Sequence, residues 1–255
     1  MKLRAGTSGF SYSEWRGAFY PEGMPADAML GYYSSRLGSV EVNNTFYRMP
    51  SPAVLAGWAG ATPPEFRFAV KASRRITHLS KLRNVADPVT FLAKTLSGLG
   101  AKLGVVLYQL PPVLRRDDAL LRDFLALLPS EQRAALEVRH ASWLDDAVYS
   151  LLRDKNVALV AGDPEEGGPV VPLEPTADFG YLRLRAEDYS DADLGAWHAR
   201  LAAQPWHEVF AFFKHETKGP EFALRLSALA EGRARPGVAK PKASPARGSG
   251  RKRTA

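Results

Sequence analysis

Residues 39–50 read SVEVNNTFYRMP. Val40 and Val42 alternate with Glu41 and Asn43, and residues two apart in a strand share a face. Glu41 and Asn43 therefore lie opposite the two valines. In a closed parallel sheet the outer face packs on helices, where an unpaired polar group is costly. This short strand then reads as one stave of a barrel, with Glu41 and Asn43 pointing inward near its C-terminal mouth.

The same unit repeats along the chain. Strands are expected at 3–8, 39–43, 65–73, 103–112, 134–142, 157–163, 179–185 and 208–216. Helical patterns fall between them at 25–37, 51–59, from Asp87, 117–128, 142–156 and 191–202, and a last one at 219–230 follows strand eight. Met29, Leu30, Tyr33 and Leu37 share one helical face, as do Val89, Leu92, Leu96 and Leu99. Residues 164–178, PEEGGPVVPLEPTAD, carry four prolines and no helical period, so a loop is expected there. Eight strands alternating with about seven helices predict an α/β fold, a TIM-type (β/α)8 barrel with an irregular connection between strands 6 and 7. An open doubly wound sheet would carry a glycine-rich phosphate turn after its first strand, and GTSGFS at 6–11 is not one.

Composition sets the class. The 255 residues include no cysteine, so neither a disulfide framework nor thiolate chemistry is available. The start MKLRAGTSGF lacks a signal-peptide core, and no run of about 18 apolar residues would span a membrane. These features predict a cytoplasmic protein. The net charge of +7 is local. Residues 232–255 hold eight Lys or Arg and no acid; removing eight from 34 leaves 26 basic against 27 acidic residues in 1–231. The reading is one barrel domain at 1–231 and a disordered basic tail at 232–255. Such a tail would hold nucleic acid by counterion release, or serve only solubility.

Charged or amide side chains close most strands: Glu41 and Asn43, Lys71, Gln109, Glu137 and Arg139, Asp163, Arg183 and Arg185, Lys214 and Glu216. Active sites of this fold sit at the C-terminal strand ends. Such a ring could equally pair with itself as a structural network. Bases outnumber acids, and arginine forks suit carboxylate and phosphate, so an anionic small molecule is the expected ligand. Glu137 and Lys71 are the candidate acid–base pair, with Glu41 and Asp163 as further catalytic candidates. Asn43, Gln109, Arg139, Arg183 and Lys214 are candidate substrate contacts. Among the aromatics near the mouth, Trp15 and Tyr47 are the two expected to face a ligand. No H-E-x-x-H spacing is present, so no metal ligand is assigned and no cofactor is named.

Five blocks carry a family resemblance: GTSGFSYSEWRGAFYP (6–21), VEVNNTFYRMPS (40–51), FRFAVKASRRITH (66–78), LGVVLYQLPP (103–112) and LEVRHASW (136–143). In order and spacing they resemble the YecE-like family, domain of unknown function family 72, from about residue 3 to residue 230. The resemblance implies a TIM-type barrel and a cytoplasmic bacterial or archaeal setting, and it brings no reaction. Two positions depart from the family's usual pattern. Arg185-Ala186 stand where the resemblance implies His-Gly, and Lys214-His215 stand where it implies two asparagines. Both lie at the expected mouth.

Overall fold

The structure, a computed structural model, describes residues 1–232. Eight parallel strands close into a barrel in chain order. They are β1 (Lys2–Ser8), β2 (Ser39–Val42), β3 (Arg67–Lys71), β4 (Leu103–Gln109), β5 (Ala134–Glu137), β6 (Ala158–Gly162), β7 (Phe179–Leu184) and β8 (Glu208–Phe213). β1 pairs with both β2 and β8, so no strand edge is left open. The helices are α1 (Met29–Arg36), α2 (Pro52–Gly60), α3 (Ala86–Leu96), α4 (Asp118–Ala126), α5 (Asp146–Asp154), α6 (Asp191–Ala202) and α7 (Gly219–Ala230). The basic tail expected at 232–255 lies, from residue 233 on, outside the described residues. Among the described residues no helix is long and apolar enough to cross a membrane.

Local chemistry explains where helices start. Ser51 caps α2 by accepting from the Val54 amide, with Pro52 supplying a preset first turn. Asp117 caps α4 through the Leu120 amide. Ser190 and Asp193 form a reciprocal capping box at α6. The helices then bury apolar stripes against the outer strand faces, as Leu120, Leu121, Phe124 and Leu125 do in α4.

The barrel interior is layered. Ala69, Val105, Leu107, Ala135, Ala158, Val160, Phe179, Tyr181, Phe210 and Phe212 form an inner cluster. Beneath it Arg4 and Arg133 both pair with Glu208. Above it the next inward positions are the polar strand ends. Lys71, Gln109, Glu137, Arg183 and Lys214 each sit two residues beyond an inner-cluster residue, and Glu41 is the register partner of Ala69.

The connection from β6 to β7 contains no helix. Its far end is pinned by Thr176, whose hydroxyl donates to the Val157 carbonyl and accepts from the Leu159 amide, both at 2.8 Å. Several strands stop short of their sequence limits. β5 ends at Glu137 because His140 Nδ1 accepts from the Ser142 amide and starts a tight turn.

Candidate functional site

The top layer is organised by Arg183. One guanidinium nitrogen donates to Glu41 Oε1 at 3.0 Å, and the other donates to Glu137 Oε2 at 2.8 Å. The fork thus joins β2 and β5 from β7. Glu41 is fully buried and also accepts from Ser8 at 2.6 Å, Asn43 at 3.0 Å and Tyr181 at 2.7 Å. Glu137 accepts further from Gln109 Nε2 at 2.9 Å and from Arg185 at 2.5 Å. Strand register makes two of these contacts nearest-neighbour: Ser8 lies beside Glu41, and Gln109 beside Glu137.

These contacts decide the charge states. Burial alone would push both carboxyls up. For Glu41 the charge of Arg183 and three side-chain hydrogen bonds overcome it, and the carboxyl lies below the usual range. For Glu137 the charges of Arg183 and Arg185 overcome it, holding the carboxyl at about 2. Both acids are therefore carboxylates already committed to arginine. Glu137 is held between two arginines and does not touch Lys71, its expected acid–base partner.

The lysines differ. Lys71 Nζ donates to Gln109 Oε1 at 2.8 Å and lies 4.3 Å from the centre of the Phe46 ring. It touches no carboxylate; Gln109 stands between it and Glu137. Burial first, and then the positive charge of Arg183, lowers Lys71 to about 8. Lys214 is lowered by burial, then by Arg183 and Arg185, and has no ion-pair partner among the described residues. His78 is lowered by burial, then by Lys71 and Arg139. The strand ends thus hold two carboxylates paired with arginine and, among the described residues, two lysines in no ion pair.

The remaining sequence candidates separate from this group. Arg139 pairs with Glu165 instead of the ring carboxylates. Asp163 forms no ion pair among the described residues: its Oδ2 accepts from the Arg185 amide at 2.7 Å, the Ala186 amide at 3.2 Å and the Tyr189 hydroxyl, beside a small cavity it lines with Glu137 and Arg185. Its parity is set one residue earlier. Val160 points inward, so the next inward position on β6 is Gly162, not Asp163. Gly162 has φ +129, and a Cβ there would stand 2.1 Å from the Arg183 carbonyl oxygen. Gly162→Ala is expected to cost about 2 kcal/mol of stability by overpacking and backbone strain. Chemical denaturation checks it, and an unchanged midpoint would mean that β6 and β7 have room to part.

Trp15 is 1% exposed and donates its indole N–H to the Glu216 carbonyl at 2.7 Å, so it packs under the first loop and faces no ligand. Tyr47 is 73% exposed and lies outside the ring, lining a groove with Met49, Arg75 and Phe91. Three contributors were not among the candidates: Ser8, Tyr181 and Glu165. Tyr181 shares the inward parity of Arg183 and Arg185, which is the signal that could have found it. Among the described residues no group of His, Cys, Asp and Glu is placed to hold a metal ion. Arginine occupies the cation's role beside both buried carboxylates.

Comparison with known proteins places these features in context. The family model described as "Protein of unknown function DUF72" matches residues 4–247. UPF0759 protein YecE of Escherichia coli K12 is 36% identical over 112 residues, which are 44% of this chain and 41% of that protein. The matched stretch is thus less than half the length of the curated relative. A DUF72 family protein from Thermotoga maritima superposes with TM-score 0.74 at 25% identity, covering 91% of this chain and 100% of that one. A DUF72 family protein from Enterococcus faecalis does so with TM-score 0.75 at 19% identity, covering 95% and 100%.

Proposed function

The chain belongs to the DUF72 family, and from that premise and the chemistry of its mouth we propose that the barrel binds a phosphorylated or carboxylated small molecule at the C-terminal strand ends. The observation that carries this reading is the pair Lys71 and Lys214. They face a layer whose acids are already neutralised by Arg183 and Arg185, so an incoming anion meets uncompensated positive charge. Asn43 Oδ1 is buried without a hydrogen-bond partner, and so are Arg183 Nε and Arg185 Nε, which leaves polar capacity beside the lysines.

Lys71 is the group suited to proton transfer. Held at about 8, a fraction of it is neutral near physiological pH, and a bound anion would restore its charge. If the barrel turns its ligand over, Lys71 acts as general base or acid while Gln109 orients its ammonium. If it only binds, Lys71 is a charge contact. A melt of the full chain against phosphorylated and carboxylated metabolites tests binding. A ligand at a hundredfold excess over its Kd should stabilise by about 2.7 kcal/mol. Lys71→Met should abolish the rise. A rise that persists in both Lys71→Met and Lys214→Met would move the ligand elsewhere.

A second reading rests on charge distribution. The body is near neutral, and eight basic residues lie in 232–255. That segment would associate with nucleic acid without reading sequence. Removing it should abolish salt-dependent nucleic-acid retention while leaving the metabolite-dependent melt intact.

A further inference from the structure

Beyond Asp163, the β6–β7 connection brings one further charged side chain to the strand-end arginines. Glu165 pairs with Arg139 and lies 3.5 Å from Arg185. Between Pro164 and Val171 it makes the only side-chain polar contacts among the described residues. The backbone there is a tight turn in which the Gly168 amide donates to the Glu165 carbonyl at 2.8 Å and Gly167 takes φ +70. Beyond that turn the connection is held by Thr176, by the Arg153–Glu174 ion pair and by Asn156–Asp178 hydrogen bonds. The crest is therefore tied to the barrel by Glu165, while both of its ends are tied independently.

The arginines are not saturated. Arg139 makes no other side-chain hydrogen bond among the described residues. Arg185 gives one nitrogen to Glu137 and another to the Asp163 carbonyl, and its Nε is buried without a partner. Both guanidiniums, Glu165 and Gly168 border a cavity of about 30 Å³, lined also by Glu137, Val160 and Asp163. That is room for a water or two, not for a ligand, while Glu165 is in place. Arg139, Arg185 and Glu165 remain 25%, 12% and 23% exposed, so solvent and solutes reach the pair.

We propose that Arg139 and Arg185 form an anion subsite, and that Glu165 occupies it as an exchangeable internal carboxylate which a ligand's phosphate or carboxylate displaces. This deepens the proposed function and rests on it. A carboxylate on two guanidiniums has the geometry and charge of the group it would stand in for. Exchange replaces one charge-assisted contact by another, so the arginines are never left uncompensated. The displaced Glu165 would carry the 165–170 crest outward and open the cavity toward Lys214 and Lys71. Ligands would thus compete against a carboxylate held at high local concentration, which selects for strong or doubly charged anions.

The test uses the full chain and inorganic phosphate at low salt, followed by calorimetry. Glu165→Gln removes the competitor and keeps the side chain's size, so phosphate should bind about tenfold more tightly than to wild type. In wild type, phosphate should also speed cleavage at Glu166 by a glutamate-specific protease, because the crest is released. Equal phosphate affinity in the two proteins, or phosphate that slows cleavage, overturns the inference. If Lys71→Met weakens phosphate binding while Glu165→Gln leaves it unchanged, the mouth reading stands and only the exchange fails. Phosphate that binds neither wild type nor Glu165→Gln overturns both.

Discussion

Arg183→Met should lower stability by about 3–5 kcal/mol. Arg183 is 2% exposed and bridges two buried carboxylates. Methionine fills similar space but leaves Glu41 with no cation, because of the two buried carboxylates Arg185 pairs only with Glu137. Hydrogen bonds from Ser8, Asn43 and Tyr181 cannot offset a buried negative charge. The loss should shrink as pH falls, since a protonated Glu41 is cheaper to bury. Arg139→Ala should cost only about 1 kcal/mol, as its pair with Glu165 is part-exposed. Denaturant unfolding of both variants at pH 7 and pH 5 measures the contrast. Equal losses would mean that Arg183 is not the brace of the layer.

Acid should unfold the protein through Glu137. Its carboxyl is lowered from 4.5 to about 2, so in the folded state it favours ionisation. A depressed carboxyl contributes stability above its unfolded value and loses it as pH falls through the folded one. The shift corresponds to about 3 kcal/mol, present above pH ~5 and lost progressively down to pH ~2. Glu41 acts in the same direction. Glu137→Gln should be less stable at neutral pH and show a flatter decline between pH 5 and pH 2. An unchanged slope in that variant would assign the acid sensitivity to other carboxylates.

The barrel was legible because two periodicities repeat together. Side-chain alternation marked Glu41 and Asn43 for the interior, and charged or amide strand ends marked Lys71, Gln109, Glu137, Arg183 and Lys214; of these, Glu41, Gln109, Glu137 and Arg183 are buried. Parity says nothing about pairing, however. The sequence counts charges, but only geometry shows that Arg183 takes both acids and leaves the lysines without one. Asp163 misled because a charged residue after an apolar run looks like the next inward position, whereas Gly162 holds that place. Trp15 misled because an aromatic that packs under a loop and one that stacks on a ligand have the same composition. Glu165 was invisible because it belongs to a proline-rich connection without a period, and its reach depends on a turn at Gly167 and Gly168. The likeness to family members in strands one to five could not supply Arg185 or Lys214, where this chain departs from the implied pattern.

The most direct measurement is the titration of Lys71 by NMR, with its ε-amine isotopically labelled, in the absence and presence of inorganic phosphate. A lysine lowered by burial and by the charge of Arg183 should titrate near 8, and phosphate should move it upward by pairing with it. A value near the ordinary 10.5 that ignores phosphate would contradict an anion-binding mouth.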